Sequence, residues 1–280
     1  MTVLTEPTLD ALQAALARAP AVLVRVRRTQ GSVPREAGTW MAVFADAVLG
    51  TIGGGHLEHQ AIAHARAALA GAPLQAERRC ALGPSLGQCC GGVVLLGFES
   101  VDGAGARELL LRLRGEQDAR RMPVALFGGG HVGQAIVRAL APLPVAVHWI
   151  DSRDEVFPSP LPPHVNAEHS APVQAAVRDL AAGSRVLVMS FSHAEDLEIV
   201  AACLQRVRER ADLPFVGLIG SRSKWAAFRH RLEARGFGAD ELAHITCPIG
   251  VPGVQGKEPA VIAAAVAAQL MTLREPAPAA

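Results

Sequence analysis

The sequence has no tyrosine and only 4% aromatic residues, and its 27 basic residues are balanced by 26 acidic ones for a formal net charge of +1. Neither a long-range positive field nor a stacking surface is present, so no nucleic-acid partner is expected. Long apolar runs are missing too. Even Ala260 to Met271 is short of a membrane span and contains Gln269, so no membrane partner is expected. The opening Met1-Thr2-Val3-Leu4-Thr5-Glu6 lacks a basic segment followed by an apolar one. No signal peptide is expected, and the cytoplasm is the expected compartment. Cysteine is scarce: five residues, two of them adjacent, follow neither a disulfide framework nor a C-x-x-C zinc spacing, which fits a reducing compartment. His56, His59 and His64 do not make H-E-x-x-H and read as a solvated helix face.

What the chain does have is a strand, glycine turn, helix, strand and acid in register from Val124 to Asp151. Val124 to Phe127 is an apolar run, and Gly128-Gly129-Gly130-His131-Val132-Gly133 fits G-x-G-x-x-G. In that pattern Gly128 makes the tight turn, Gly130 admits a phosphate to the backbone, and Gly133 lets the helix pack on the strand. Asp151 follows Gly133 by 18 residues, where a dinucleotide site places the carboxylate for a ribose hydroxyl. Arg153 nearby equally suits a 2'-phosphate or a salt bridge. Further strand and helix patterns follow: Arg185 to Ser190, Ala194 to Arg210, Pro214 to Ile219, Lys224 to Arg235 and Pro259 to Leu273, with a helix also expected over Val173 to Ala182. Repeated strand then helix means a parallel sheet whose ligand crevice lies beyond the strand C-terminal ends.

The expected fold class is therefore α/β. A C-terminal Rossmann-like parallel sheet with helices on both faces, 122–280, joins a smaller N-terminal α/β domain with a mixed sheet, 1–105, through a linker at 106–121. In the N-terminal part, Gly53-Gly54-Gly55-His56 precedes an alanine-rich helix. Such a turn either serves the chain alone or offers N–H groups to an anion. Gly83 to Gly87 matches G-x-S-x-G, but glycines and a strand follow the serine where a nucleophile elbow needs a helix, so a hydrolase is rejected. Cys89 and Cys90, adjacent in a glycine-rich loop, read either as small buried apolar residues or as soft thiols able to meet a metal or sulfur-bearing ligand. Ser221 and Arg222, entering a helix, and Lys257, ahead of Pro259, are candidate anion contacts.

Several motifs together resemble the xanthine dehydrogenase accessory proteins of XdhC/CoxI type. They are Gly31-Ser32-Val33-Pro34-Arg35, Gly50-Thr51-Ile52-Gly53-Gly54-Gly55-His56-Leu57-Glu58, Gly87-Gln88-Cys89-Cys90-Gly91-Gly92, Phe127 to Gly133, Gly220-Ser221-Arg222-Ser223-Lys224, Cys247-Pro248-Ile249-Gly250, and Gly256-Lys257-Glu258-Pro259. The Gln88-Cys89-Cys90 form is similar to the xanthine dehydrogenase branch. The resemblance implies a chaperone rather than a turnover enzyme. It would bind the molybdenum cofactor in its molybdopterin form, hold it while a cysteine desulfurase assists sulfuration, and deliver it to the molybdenum subunit of apo-xanthine dehydrogenase. On this resemblance Cys89 and Cys90 lie near the molybdenum or its incoming sulfur, the glycine loops and helix ends hold the pterin phosphate, and Arg35 and His56 are lesser contacts. A homodimer is expected from the frequency of such assemblies. Two rivals stand beside this. One is an NAD(P)-dependent oxidoreductase using Gly128 to Asp151, for which Ser192-His193 and His131 are the acid-base candidates; the other is a non-catalytic dimerising scaffold.

Overall fold

Strand β1, Ala21–Gln30, buries residues from both of its faces over its first half, so helices must cover the first sheet on both sides. The computed structural model describes residues 9–82 and 91–274. The chain divides into two units between Gln117 and Asp118.

In the first unit, β1 is followed by β2 (Trp40–Val43), β3 (Val48–Gly50), β4 (Glu77–Ala81) and β5 (Val93–Val101). The strands pair in the order β3-β2-β1-β5-β4, and every pairing is antiparallel. The mixed sheet expected here is thus a uniformly antiparallel one, because its neighbours are joined by hairpins and short returns rather than by parallel crossovers. Val22, Val24 and Val26 pack under Leu57, Ala61 and Ala65 of helix α2 (Gly55–Leu69). Ala21 and Leu23 face Leu12 and Leu16 of α1 (Leu9–Leu16) and Leu109, Leu110 and Leu113 of α3 (Ala106–Ala119). Each such buried leucine stabilises the unit by about 1.5–3 kcal/mol. Most of the segment expected as a linker is therefore α3, whose leucine face belongs to the first core.

The second unit is a parallel sheet of β6 (Met122–Phe127), β7 (Val145–Asp151), β8 (Val165–His169), β9 (Arg185–Val188), β10 (Phe215–Leu218) and β11 (Ile245–Thr246). The order is β11-β10-β9-β6-β7-β8. Counted from β6, this is the 3-2-1-4-5-6 order of the doubly wound nucleotide-binding fold, and its switch point falls between β6 and β9. Val124 and Leu126 pack with Ile136 and Leu140 of α4 (His131–Leu140) and with Val266 and Leu270 of α8 (Pro259–Thr272). On the opposite face Ala125 and Phe127 meet Leu197 and Val200 of α5 (His193–Arg210) and Phe228 and Leu232 of α6 (Arg222–Glu233). A four-residue helix α7, Ala239–Leu242, precedes β11. The helix expected over 173–182 is a 3-10 segment, Val173–Asp179, set between Pro172 and the start of β9.

Candidate functional site

The glycine loop after β6 is fixed by close packing. Gly128 has φ +129°, and a Cβ there would lie 2.0 Å from the Met189 carbonyl oxygen; one on Gly133 would lie 2.0 Å from the Gly128 oxygen. Neither position admits a side chain. Gly130 differs: its φ is −70°, it is exposed, and a Cβ would meet nothing within 4 Å. Among the described residues no side chain caps α4, which starts at His131. The positive end of this helix therefore has no capping side chain among the described residues and open space beside Gly130, a setting in which an anion is stabilised. Gly128 and Gly133 are thus fixed by packing, while Gly130 is not.

Asp151 does not behave as a ribose-binding acid. Its side chain is only 1% exposed. Oδ1 accepts from the backbone N–H and Nε of Arg153, both at 2.9 Å; Oδ2 accepts from Gly129 N at 2.5 Å and from Arg153 Nη2 at 2.9 Å. Burial alone would raise the carboxyl pKa. Hydrogen bonds from the Arg153 side chain and the Gly129 and Arg153 backbones outweigh it and hold the group below its usual range. With four donors on two oxygens, no lone pair is left for a ribose hydroxyl. Of the alternatives for Arg153, the salt bridge is the one formed. Its guanidinium also stacks 4.5 Å from the ring centre of Phe191, which is 67% exposed just beyond β9.

Further along the same strand ends, buried Asp196 accepts from Ser190 N and Ser190 Oγ at 2.8 Å and from Lys224 Nζ at 2.6 Å, and Lys224 also donates to the Ile219 carbonyl at 2.8 Å. Ser221 Oγ accepts from Lys224 N as the cap of α6, so this hydroxyl and the Lys224 ammonium are both engaged internally. Arg222 and Lys257 are exposed, and among the described residues no hydrogen bond ties either to the Gly128 loop. Cys247 Sγ lies 3.9 Å from the Ser221 carbonyl. Burial pushes its thiol pKa up against the opposing pull of Lys224.

In the first unit, Gly53, Gly54 and Gly55 all have positive φ. This turn closes on its own helix. Glu58 Oε2 accepts from Thr51 Oγ1 at 2.5 Å, Ile52 N at 3.0 Å and Gly54 N at 3.1 Å, while Gly53 N donates to Thr51 Oγ1 at 3.1 Å. Two glycine amides offered to an anion by the sequence are thus already bound. A Cβ on Gly53 would press at 2.8 Å on Pro34 and at 3.4 Å on the stem of exposed Arg35, so Arg35 and the 53–55 turn are brought together. His56 is exposed and pairs with Gln60 at 2.9 Å. Gly92 packs so closely that a Cβ would lie 2.4 Å from the Ser32 carbonyl oxygen, and its own carbonyl accepts from Leu82 N at 2.8 Å. The Gly31 to Arg35 loop therefore touches both the 53–55 turn and the strand leading out of segment 83–90. Cys89 and Cys90 lie outside the described residues. Among those described, no three acidic, histidine or cysteine side chains group to hold a metal, and no helix is long and apolar enough to cross a membrane.

Sequence reasoning did not single out Glu58, Phe191, Glu195 or Asp196, the partner of Lys224. Phe191 carried a usable signal, an aromatic residue directly after a buried strand at the sheet's switch point. The Asp196–Lys224 pair spans 28 positions and leaves no local pattern.

Comparison with known proteins places these features. The solved structure of a protein described as a xanthine dehydrogenase from Bacillus halodurans superposes with a TM-score of 0.70 at 18% identity, covering 95% of each chain. That likeness concerns the fold. The uncharacterized protein YqeB of Escherichia coli K12 is 25% identical over 269 residues, and the alignment covers 92% of this chain but 44% of YqeB, so the chain spans less than half of that relative's length. The XdhC Rossmann domain matches residues 124–270, which include the Gly128 loop, Asp151 and the Asp196–Lys224 pair, and the XdhC and CoxI family matches residues 14–78, which include the Arg35 loop and the turn closed by Glu58. With more than half its length inside the first of these matches, the chain belongs to the XdhC family.

Proposed function

We propose that this protein is a maturation accessory for xanthine dehydrogenase that binds the molybdenum cofactor, holds it during sulfuration and hands it to the apo-enzyme. What supports the reading is family membership in both units, joined to an uncapped helix end with open space at Gly130. The residues of the crevice fit a phosphate-bearing ligand and do not fit the diol of a dinucleotide ribose, since Asp151 has no free oxygen. In the second unit, Gly130 and the first amides of α4 would hold a phosphate; for the thiols of Cys89 and Cys90, which lie outside the described residues, it is the family resemblance that supports a role toward the metal or its sulfur. When bound, the cofactor supplies the sulfurated molybdenum centre that the dehydrogenase needs. The partners in this reading are a cysteine desulfurase, the apo-dehydrogenase and a second copy of the chain.

Metal and pterin analysis of protein isolated without oxygen tests it directly. Molybdenum and pterin should co-purify with the wild type and be lost from a folded Cys89→Ala, Cys90→Ala double variant. Full retention of sulfurated cofactor by that variant would remove the thiols from the mechanism. A wild-type protein that binds no cofactor, yet binds NAD or NADP and turns over, would sink the carrier reading in favour of the oxidoreductase.

A further inference from the structure

Large hydrophobic side chains are exposed at only three described positions, Leu111, Phe191 and Val254, and Phe191 is the one at the switch point of the parallel sheet. Its loop is held against the glycine loop, because the Met189 carbonyl fills the space where Gly128 lacks a side chain. Arg153 stacks on the Phe191 ring while Nε and Nη2 are clamped by Asp151, so the guanidinium plane is fixed from a second direction. Beside them Glu195 accepts from Ser152 Oγ at 2.7 Å through Oε1, but its Oε2 is buried without a hydrogen-bond donor among the described residues. A carboxylate oxygen in that state is unfavourable, and turning the side chain toward a ligand N–H relieves it.

We propose that Phe191 and Arg153 form a stacking platform for a planar nitrogen heterocycle, with Glu195 accepting from its ring N–H or amino group and Gly130 receiving the phosphate on the same ligand. Pterin phosphates and purine nucleotides share this chemistry; taking the ring as a pterin rests on the cofactor-carrier reading. An exposed phenylalanine suits the task because stacking tolerates different rings, while the lone acceptor and the phosphate position supply orientation.

The test uses the full-length protein with three probes: the fluorescent oxidised pterin phosphate released from a molybdoenzyme, AMP and GMP. Phe191→Ala should weaken pterin phosphate binding by about 5- to 100-fold and abolish the quenching that stacking causes, while Phe191→Trp restores both. Inorganic phosphate should compete equally well in all three proteins. Glu195→Gln, which keeps shape but turns an acceptor into a donor on one side, should weaken the ring ligand and leave phosphate competition unchanged. Equal affinity and quenching in wild type and Phe191→Ala overturn the platform and leave the carrier reading standing. Phe191-dependent binding of AMP or GMP with no pterin binding upholds the platform and overturns the carrier reading. Binding of none of the three overturns both.

Discussion

Replacing Arg153 by methionine keeps most of the stem and removes the guanidinium, leaving the buried Asp151 carboxylate with two backbone donors in place of four contacts. Breaking a buried ion pair from one side typically destabilises by about 3–5 kcal/mol. Here the arginine side chain is 34% exposed, so water offsets part of the loss and about 2–3 kcal/mol is expected. For a unit of this size that moves the urea midpoint down by roughly 1 M. The effect must depend on pH in a set direction. In the wild type the carboxyl pKa is depressed, so its contribution is present above the unfolded value of about 3.9 and is lost as pH falls through the folded value. Without Arg153 burial dominates and the folded pKa rises, so the penalty is full at pH 7 and fades as the carboxyl takes up a proton. Trp149 is fully buried beside this site, with its indole N–H donating to the Gly128 carbonyl at 2.9 Å. Its fluorescence, read with Trp40 and Trp225 changed to phenylalanine in both proteins, reports unfolding of this unit. Coincident midpoints at pH 7, or a gap that stays constant from pH 7 to pH 4, would refute the account.

Gly128→Ala should destabilise the second unit by more than about 3 kcal/mol, since both its φ and the Met189 carbonyl forbid a Cβ, whereas Gly130→Ala should change stability by under about 0.5 kcal/mol yet reduce phosphate binding; paired thermal melts and phosphate titrations read both. Glu58→Ala should cost about 1–3 kcal/mol and speed amide exchange at Ile52 and Gly54, and unchanged protection of those amides would show that the carboxylate does not hold the turn. Burial pushes the Cys203 thiol pKa up to about 12, so site-resolved alkylation at pH 8 should leave Cys203 unmodified until the unit unfolds, while half-buried Cys80 and Cys247 react before it.

The parallel half was legible because its strands are buried on both faces and its turns are marked by glycine. The β6 to β7 unit could be read from Val124 to Asp151, with β6 itself starting two residues earlier at Met122 and β7 ending at Asp151. The polar edge strands β4 and β8 were not legible. In β4, Glu77-Arg78-Arg79-Cys80-Ala81, burial alternates between exposed and intermediate, and β8 carries Asn166 and Glu168. Charged and polar edges prevent pairing with other chains and at the same time erase the hydrophobic signal. The sites followed the same rule. Backbone conformation at Gly128 and Gly53 showed in the sequence because only glycine tolerates it. The carboxylates that occupy nearby amides did not, because a pairing depends on where side chains reach, as Arg153 shows in pairing with Asp151.

The two glycine turns therefore differ in their capacity for an anion, although their sequences advertise it equally. At residues 53–55 the acid sits in the first turn of the helix that the glycines introduce, and Glu58 Oε2 collects two backbone amides and the Thr51 hydroxyl. A phosphate arriving there must displace a like-charged group from its donors, so repulsion and lost hydrogen bonds both oppose it. After β6 the acid comes from the neighbouring strand. Asp151 takes only the Gly129 amide from the loop, and Arg153 balances its charge, leaving the end of α4 without a capping side chain. The carboxylate at the second loop thus fixes the turn without competing for the ligand position. Glu58→Gln provides the contrast: removing its charge should raise phosphate affinity at the first turn, while Asp151→Asn should disrupt the second loop and gain nothing. Phosphorus-31 line broadening with the isolated variants distinguishes the two, and an unaltered first-turn affinity in Glu58→Gln would show that charge competition is not what closes it.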